Sequence, residues 1–280
     1  MRVLHLIAIA GFMLTGAAPA PVLPQRIVSL NMCADQLLVA LADRGQIAAL
    51  TEWARDPQLS SVAAKSRGIP FTHRTAEEVI ALRPDLVIGA PFRTKAVLAP
   101  LKARGVTMVE LPSGEGVGGI EQSITTIAQA VGHPERGRAM IAGMRRDLAR
   151  IGRPPGRRRV AAYYQRNGYL TGTGTLVDDM LQRVGLVNLA GKLGRPALST
   201  LSLEEMALAR PDFLVMDSGV RVVADRGTAA LHHPVLDAAV VPAHRLYIPQ
   251  SLTVCGSPAF PRAVAMLAAQ VRAADRAGHR

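Results

Sequence analysis

Thr75-Ala-Glu-Glu-Val-Ile-Ala-Leu-Arg-Pro-Asp-Leu-Val87 recurs in altered form as Ser202-Leu-Glu-Glu-Met-Ala-Leu-Ala-Arg-Pro-Asp-Phe-Leu214. The pairs Glu77/Glu204, Pro84/Pro211 and Asp85/Asp212 share one offset of 127 residues (204 minus 77, 211 minus 84, 212 minus 85). Each copy reads as a short helix that begins at a hydroxyl residue, stops at a proline and leads into a buried strand. The spacings Thr75-x-x-Glu78 and Ser202-x-x-Glu205 are those of a capping box, so Glu78 and Glu205 are expected to bond back to the cap residue. Glu77 and Glu204 are not needed for the box and are free to face water, one in each copy. A role beside the helix dipole would also place glutamates there. Two copies of one α/β unit are the simplest reading.

The residues around the repeat extend the pattern. Arg26-Ile-Val-Ser-Leu30 reads as a buried strand, followed by a helix over 34–42 and a strand over 47–52. After the helix over 75–82 come a strand over 85–89, a helix over 94–104 and a strand over 106–111. Strands alternating with helices imply a mostly parallel sheet flanked by helices. The rhythm breaks over 120–151, which is helical nearly throughout and interrupted at Gly132-His133-Pro134. Met140, Ile141, Met144, Leu148 and Ile151 fall at helical spacing in its second half. Arg153-Pro-Pro-Gly-Arg-Arg-Arg159 is turn-rich and polar, and the β/α rhythm restarts at Val160. The expected architecture is therefore two α/β lobes, 21–132 and 153–280, joined by one long rigid helix over 133–152.

The first twenty residues read as an export signal. Arg2 is the positive end, Leu4 to Leu14 form the apolar run, and Ala18-Pro19-Ala20 matches a small-x-small cleavage site. The run is shorter than the roughly 20 residues a membrane span needs. No cysteine lies near the cut, so the expected product starts near Pro21 as a free protein of the periplasm. The remaining length suits one large domain or two ordinary lobes. Hydrophobic residues make up 49% of the chain and aromatics 4%. The formal charge of +12 is carried by scattered arginines without a nucleic-acid motif. A basic surface that favours anionic ligands is the expected meaning, and nucleic acid is not an expected partner.

The order of these segments resembles the periplasmic binding proteins for cobalamin and iron siderophores. The resemblance is carried by Arg26-Ile-Val-Ser-Leu30, the Glu77 to Val87 stretch, Thr171-Gly-Thr-Gly-Thr175 with Gly185-Leu-Val-Asn188, and Leu203-Glu-Glu205 with Arg210-Pro-Asp212. It covers almost the whole chain beyond the signal segment. It implies two α/β lobes bridged by a helix, a ligand in the cleft between them, and one exposed glutamate per lobe docking on the permease of an ABC importer. Glu77 and Glu204 match those positions. The implied partners are that permease, its ATPase subunit and a metal chelate or corrinoid, bound by a monomer without a cofactor.

Open α/β sheets bind ligands at the carboxyl ends of their strands. This points to Asn31, Met32 and Cys33 after the first strand, Trp53 and Arg55 after the second, and Arg93 in the third loop. From the second lobe come Tyr164, Arg166 and Tyr169, then Ser251 and Cys255. Trp53 is the lone tryptophan and reads equally as core or as ligand platform. Arg93 and Arg166 suit anionic groups on a chelate, though both also read as ordinary surface arginines. Cys33 and Cys255 leave three readings open: a disulfide across the cleft, two free cleft thiols, or buried inert cysteines. The relative scarcity of aromatics weakens a cobalamin assignment. Haem would need an axial Tyr or His, for which Tyr163, Tyr164 and Tyr169 are candidates.

Two rival classes fare worse. Binding of bare zinc or manganese by His73, His133, His232, His233 and His244 lacks any recognisable ligand spacing. A secreted hydrolase using scattered Ser, His and Asp is the lesser alternative; an enzyme is not expected, since the chain has no Gly-x-Ser-x-Gly elbow, phosphate loop or His-Glu-x-x-His. Gly114-Glu-Gly-Val-Gly-Gly119 does not have the dinucleotide-binding spacing.

Overall fold

The computed structural model describes residues 23–89, 95–112, 116–221 and 225–277. The segment read as an export signal and Arg93 lie outside them. The first lobe runs β1 (Ile27–Ser29), α1 (Met32–Leu41), β2 (Ile47–Thr51), β3 (Phe71–Thr72), α2 (Ala76–Ala81), β4 (Leu86–Gly89), α3 (Lys95–Lys102) and β5 (Thr107–Glu110). Its sheet has the order β3-β2-β1-β4-β5, with every pair parallel. Next come α4 (Gly116–Ala130) and α5 (Pro134–Ala149), packed as a hairpin. The turn between them sits at the expected helix break. Gly137 lets the two helices approach closely, because an added Cβ would stand 2.6 Å from Ala128 Cβ.

The second lobe contains β6 (Val160–Tyr163), β7 (Tyr169–Thr171), α6 (Leu176–Arg183), β8 (Val187–Asn188), α7 (Leu189–Lys192) and β9 (Leu198–Thr200). It continues through α8 (Leu203–Ala209), β10 (Phe213–Asp217), α9 (Pro234–Ala239), β11 (Arg245–Ile248) and α10 (Phe260–Ala277). Its main sheet, β11-β10-β6-β8, is parallel, while β7 and β9 form a small antiparallel pair. Both main sheets thus have the helix-covered, parallel character expected of the fold class.

Strand alternation explains how the layers assemble. Successive side chains of a strand point to opposite faces, and a sheet covered on both faces is apolar at every position. Ile27, Leu86 and Ile88 point to one core, while Val28 and Val87 point to another beneath α2 and α3. In the second lobe Ala161, Tyr163, Phe213 and Val215 face one core, and Ala162, Tyr164, Leu214 and Met216 face another with Leu189, Met206 and Leu236. The two inward faces belong to a single cluster. Leu37, Leu38 and Leu41 of α1, Ile120, Ile124 and Ile127 of α4, Met180 and Leu181 of α6, and Leu267 and Val271 of α10 fill it. The lobes are therefore joined by a shared apolar core in addition to the helical connection.

The repeat is visible in the backbone. Arg83 and Arg210, also 127 apart, both take left-handed conformations with φ of 46° and 40° ahead of their prolines. Asp85 accepts from the backbone N–H of Gln25 and Arg26 at the head of β1, at 2.7 and 3.0 Å. Asp212 accepts from Val160 N at the head of β6, at 2.7 Å. Each copy thus ends a helix, starts a strand and pins the neighbouring strand with the same residues.

Candidate functional site: the crevice between the sheet ends

The carboxyl ends of β1 and β2 and those of β6 and β11 are brought together by one covalent bond. Cys33 follows β1, Cys255 follows β11, and the two form a disulfide with Cα atoms 5.3 Å apart across a sequence separation of 222. Such a Cα distance is ordinary for a disulfide. Of the three readings the sequence left open, the structure has the crosslink, and there is no free cysteine. Asn31 caps α1, its side chain accepting from Cys33 N at 2.8 Å and Ala34 N at 3.1 Å. Asn31 is thus occupied in holding the helix start, and Met32 beside it is half-buried.

On the first lobe, Trp53 lies in the helical turn Glu52–Arg55 that follows β2. The Arg74 guanidinium lies 3.7 Å from the centre of its ring, and Nη1 of Arg74 meets Glu52 Oε2 at 2.6 Å. Arg74 has φ of 68°, a left-handed conformation that a non-glycine residue holds only when its surroundings enforce it. Its backbone N–H donates to Thr72 Oγ1 at 3.0 Å. Arg55 points elsewhere, over the Phe71 ring at 4.3 Å and onto Ile69 O at 2.7 Å. Asp35, fully buried, accepts from the backbone and hydroxyl of Thr51. Burial pushes its carboxyl up to about 6, against the pull of hydrogen bonds from Ser29 and Thr51 and of the Arg74 charge.

On the second lobe a cavity of about 170 Å³ is lined by Tyr163, Gln165, Thr171, Thr175, Gln250, Thr253 and neighbouring aliphatic groups. Tyr163 shares a hydrogen bond with Thr253 Oγ1 at 3.1 Å, and Gln165 Nε2 donates to Thr171 Oγ1 at 2.6 Å. Burial pushes the Tyr163 hydroxyl up to about 12, so it stays a neutral phenol at physiological pH. The Thr171-to-Thr175 turn shapes the wall. At Gly172 an added Cβ would stand 2.1 Å from Pro196 O, so only glycine fits. Ser251 is 8% exposed and lies in the turn that leads to Cys255.

Other expected residues fall elsewhere. Tyr164 is 1% exposed, and its hydroxyl donates to Leu201 O at 2.8 Å. Alternation along β6 sends it to the outer core, so it is a core residue without a face on the crevice. Tyr169 is exposed, and Arg166 pairs with Asp225 at 2.8 Å. That pairing holds the Asp225 carboxyl below its usual range. The histidines are scattered and engaged locally. His73 meets Glu78 at 3.2 Å, His133 meets Gln46 at 2.9 Å, His233 accepts from Val235 N at 3.2 Å, and His244 meets Asp212 O at 2.9 Å. Among the described residues no cluster of His, Cys, Asp or Glu suits a metal ion.

Glu77 and Glu204 are exposed at the starts of α2 and α8. The box at Ser202 is complete, with Glu205 accepting from Ser202 N at 2.9 Å. At Thr75 the expectation holds only in part. The Thr75 hydroxyl accepts from Glu78 N at 3.2 Å, yet the Glu78 carboxylate passes the cap residue and binds Thr72 Oγ1 and His73 N, each at 2.7 Å. The left-handed turn at Arg74 presents those two groups to it. These bonds, led by that from Thr72, hold the Glu78 carboxyl below its ordinary value.

Against this geometry, residues 27–233 match the sequence profile described as periplasmic binding protein. The chain belongs to that family. A cobalamin-binding protein of Halobacterium salinarum is 26% identical over 225 residues, which are 78% of this chain and 59% of the relative. The chain thus spans 59% of the length of the curated relatives it matches. Among solved structures, a periplasmic haem-binding protein from Pseudomonas aeruginosa is 25% identical with a TM-score of 0.68, covering 88% of this chain and 92% of that one. The periplasmic vitamin B12-binding protein of Vibrio cholerae is 16% identical with a TM-score of 0.70, covering 91% and 100%. That likeness shows the same fold. All three relatives are binding proteins by description. This periplasmic binding protein thus falls in the family that the order of its segments resembled.

Proposed function

We propose that the protein captures a metal chelate or corrinoid in the crevice and delivers it to an ABC permease coupled to an ATPase. The units of this reading are lobes 21–132 and 153–280 with the helical segment 133–152 between them, acting as a monomer in the periplasm after removal of the signal segment. The observation that carries it is the crevice itself. The end of β1 is tied to the end of β11 by Cys33–Cys255, and we assign the Trp53–Arg74 pair after β2 to one wall and the polar cavity around Tyr163 and Gln165 to the other. A crevice of this kind, with convergent polar groups, is where open α/β sheets take ligands. Trp53 and the Glu52-paired Arg74 supply a flat face, and Gln165, Thr171, Thr175 and Gln250 supply donors and acceptors without charge. We assign Met32, which starts α1 beside Cys33, to the rim. Glu77 and Glu204 meet cationic groups on the permease.

The test is a titration of the mature protein with cobalamin, cobinamide, a ferric hydroxamate, a ferric catecholate and haem, followed by Trp53 fluorescence and by calorimetry. Saturable binding of one class at micromolar concentration or tighter, weakened by Arg74→Met, is the expected result. No heat with any of them refutes the chelate reading. Glu77→Ala with Glu204→Ala is expected to abolish uptake and leave ligand affinity intact; lost affinity would overturn the docking role.

A further inference from the structure

The repeat that places Glu77 and Glu204 also places an apolar side chain ahead of each. Phe71 and Leu198 stand at the same offset of 127 (198 minus 71), six residues before their glutamates. Phe71 lies on β3 and Leu198 on β9, the short strands that lead into α2 and α8. They are 42% and 60% exposed. Single exposed apolar residues are common on any protein surface and carry no meaning. Two at matching positions of a repeat, each next to the same acidic helix start, are a pattern.

The second copy adds a third such residue. Leu208 is 84% exposed, and it lies four residues after Glu204, on the same side of α8. Its counterpart at the repeat offset is Ala81 (208 minus 81 is 127), which is also exposed. The two copies therefore differ in how much apolar surface flanks the glutamate. Phe71 is braced by Arg55 at 4.3 Å and by the edge of His73 at 5.4 Å.

Charge points to the kind of partner. The chain carries 33 Lys and Arg against 21 Asp and Glu. Each copy nonetheless keeps one carboxylate out of its own fold. Glu78 is bound by Thr72 and His73, and Glu205 by Ser202 and Arg195. Glu77 and Glu204 stand exposed beside them. A surface that is acidic at two points on a basic protein, with apolar groups alongside, complements a cation set next to an apolar hollow.

We infer that Phe71, Leu198 and Leu208 form, with Glu77 and Glu204, a two-part docking surface that is apolar as well as acidic. Its occupant is the external face of the membrane permease, and the inference rests on the docking role proposed above. The half with Leu198 and Leu208 makes the larger apolar contact, so the two halves are not interchangeable. Desolvating these side chains holds the complex together, while the glutamates set its register.

The test measures affinity of the mature protein for the cognate permease–ATPase complex in lipid nanodiscs. Leu198→Ser with Leu208→Ser is expected to weaken docking about tenfold, with Phe71→Ser having the smaller effect. Thermal melting and ligand affinity should not move, because the side chains are exposed. Unchanged docking by the double variant, with docking lost in Glu77→Ala/Glu204→Ala, overturns the apolar surface and spares the glutamates. Unchanged docking by both sets overturns the docking role itself. A wild-type dimer in light scattering that the leucine variant dissolves assigns the surface to a second copy of the chain and overturns the inference.

Discussion

Replacing Asp35 by Asn should change how stability depends on pH, and the structure sets both the sign and the size. Asp35 is fully buried two residues from the disulfide's Cys33, and its carboxyl lies near 6 rather than 3.8 because burial disfavours the charge. A native group that holds its proton more tightly than the unfolded chain stabilises the fold fully below the unfolded value. That stabilisation is lost as pH rises from about 4 through about 6. The difference from 3.8 to about 6 corresponds to about 3 kcal/mol between pH 3.5 and pH 7.5. Asp43, Glu121 and Asp225, whose arginine partners lower them, act with the opposite sign, and their stabilisation is lost as pH falls below the ordinary carboxylate range, at the acid end of the same titration. The informative quantity is therefore the difference between Asp35→Asn and wild type. The amide oxygen can still accept from Thr51 N, and the amide N–H can donate to the Thr51 hydroxyl, so the site remains bonded. In urea unfolding followed by circular dichroism, the variant should gain about 3 kcal/mol on the wild type between pH 3.5 and pH 7.5. Parallel stability curves for the two proteins would refute the assignment of a buried, late-ionising carboxylate.

Cys33→Ser with Cys255→Ser should cost about 2–5 kcal/mol, since the bond closes a loop separated by 222 residues. A urea titration with and without reductant measures it, and wild type alone should respond to reductant. Gly172→Ala places a methyl 2.1 Å from Pro196 O, so a loss of about 1–3 kcal/mol is expected. Ligand binding should weaken with it, as Thr171 and Thr175 line the cavity. Asp85→Ala and Asp212→Ala each free backbone N–H groups at the head of a strand and should each cost about 1 kcal/mol, read as similar shifts in thermal midpoint.

Much of the fold was legible because its strands are covered on both faces. Ile27-Val28-Ser29 and Leu86-Val87-Ile88-Gly89 are apolar or small throughout, and such runs bounded by helices leave few alternatives. β3 escaped notice, since two residues make no period. The shared core was hidden for another reason: which of two apolar faces meets the other lobe depends on how the lobes close, and local periodicity carries no record of that. Tyr164 shows where a rule at hand went unused. Adjacent tyrosines on a strand must face opposite sides, so Tyr163 and Tyr164 could not both line one crevice. Arg74 had no signature at all. Its place over Trp53 depends on a left-handed backbone that neither its side chain nor its spacing announces. The cysteines and the exposed glutamates were visible as residue types at strand and helix ends; only the three-dimensional arrangement says which atoms meet.

The bond between Cys33 and Cys255 also makes most of the chain a ring. Any single cut between those residues opens the ring without releasing either piece. Exposed Arg157 and Arg158 offer trypsin-like proteases such a cut between the lobes. The nicked protein would still present both walls of the crevice, held by sulfur and by a core that both pieces share. In a compartment populated by proteases, one severed peptide bond is then a scar in the molecule and not its end.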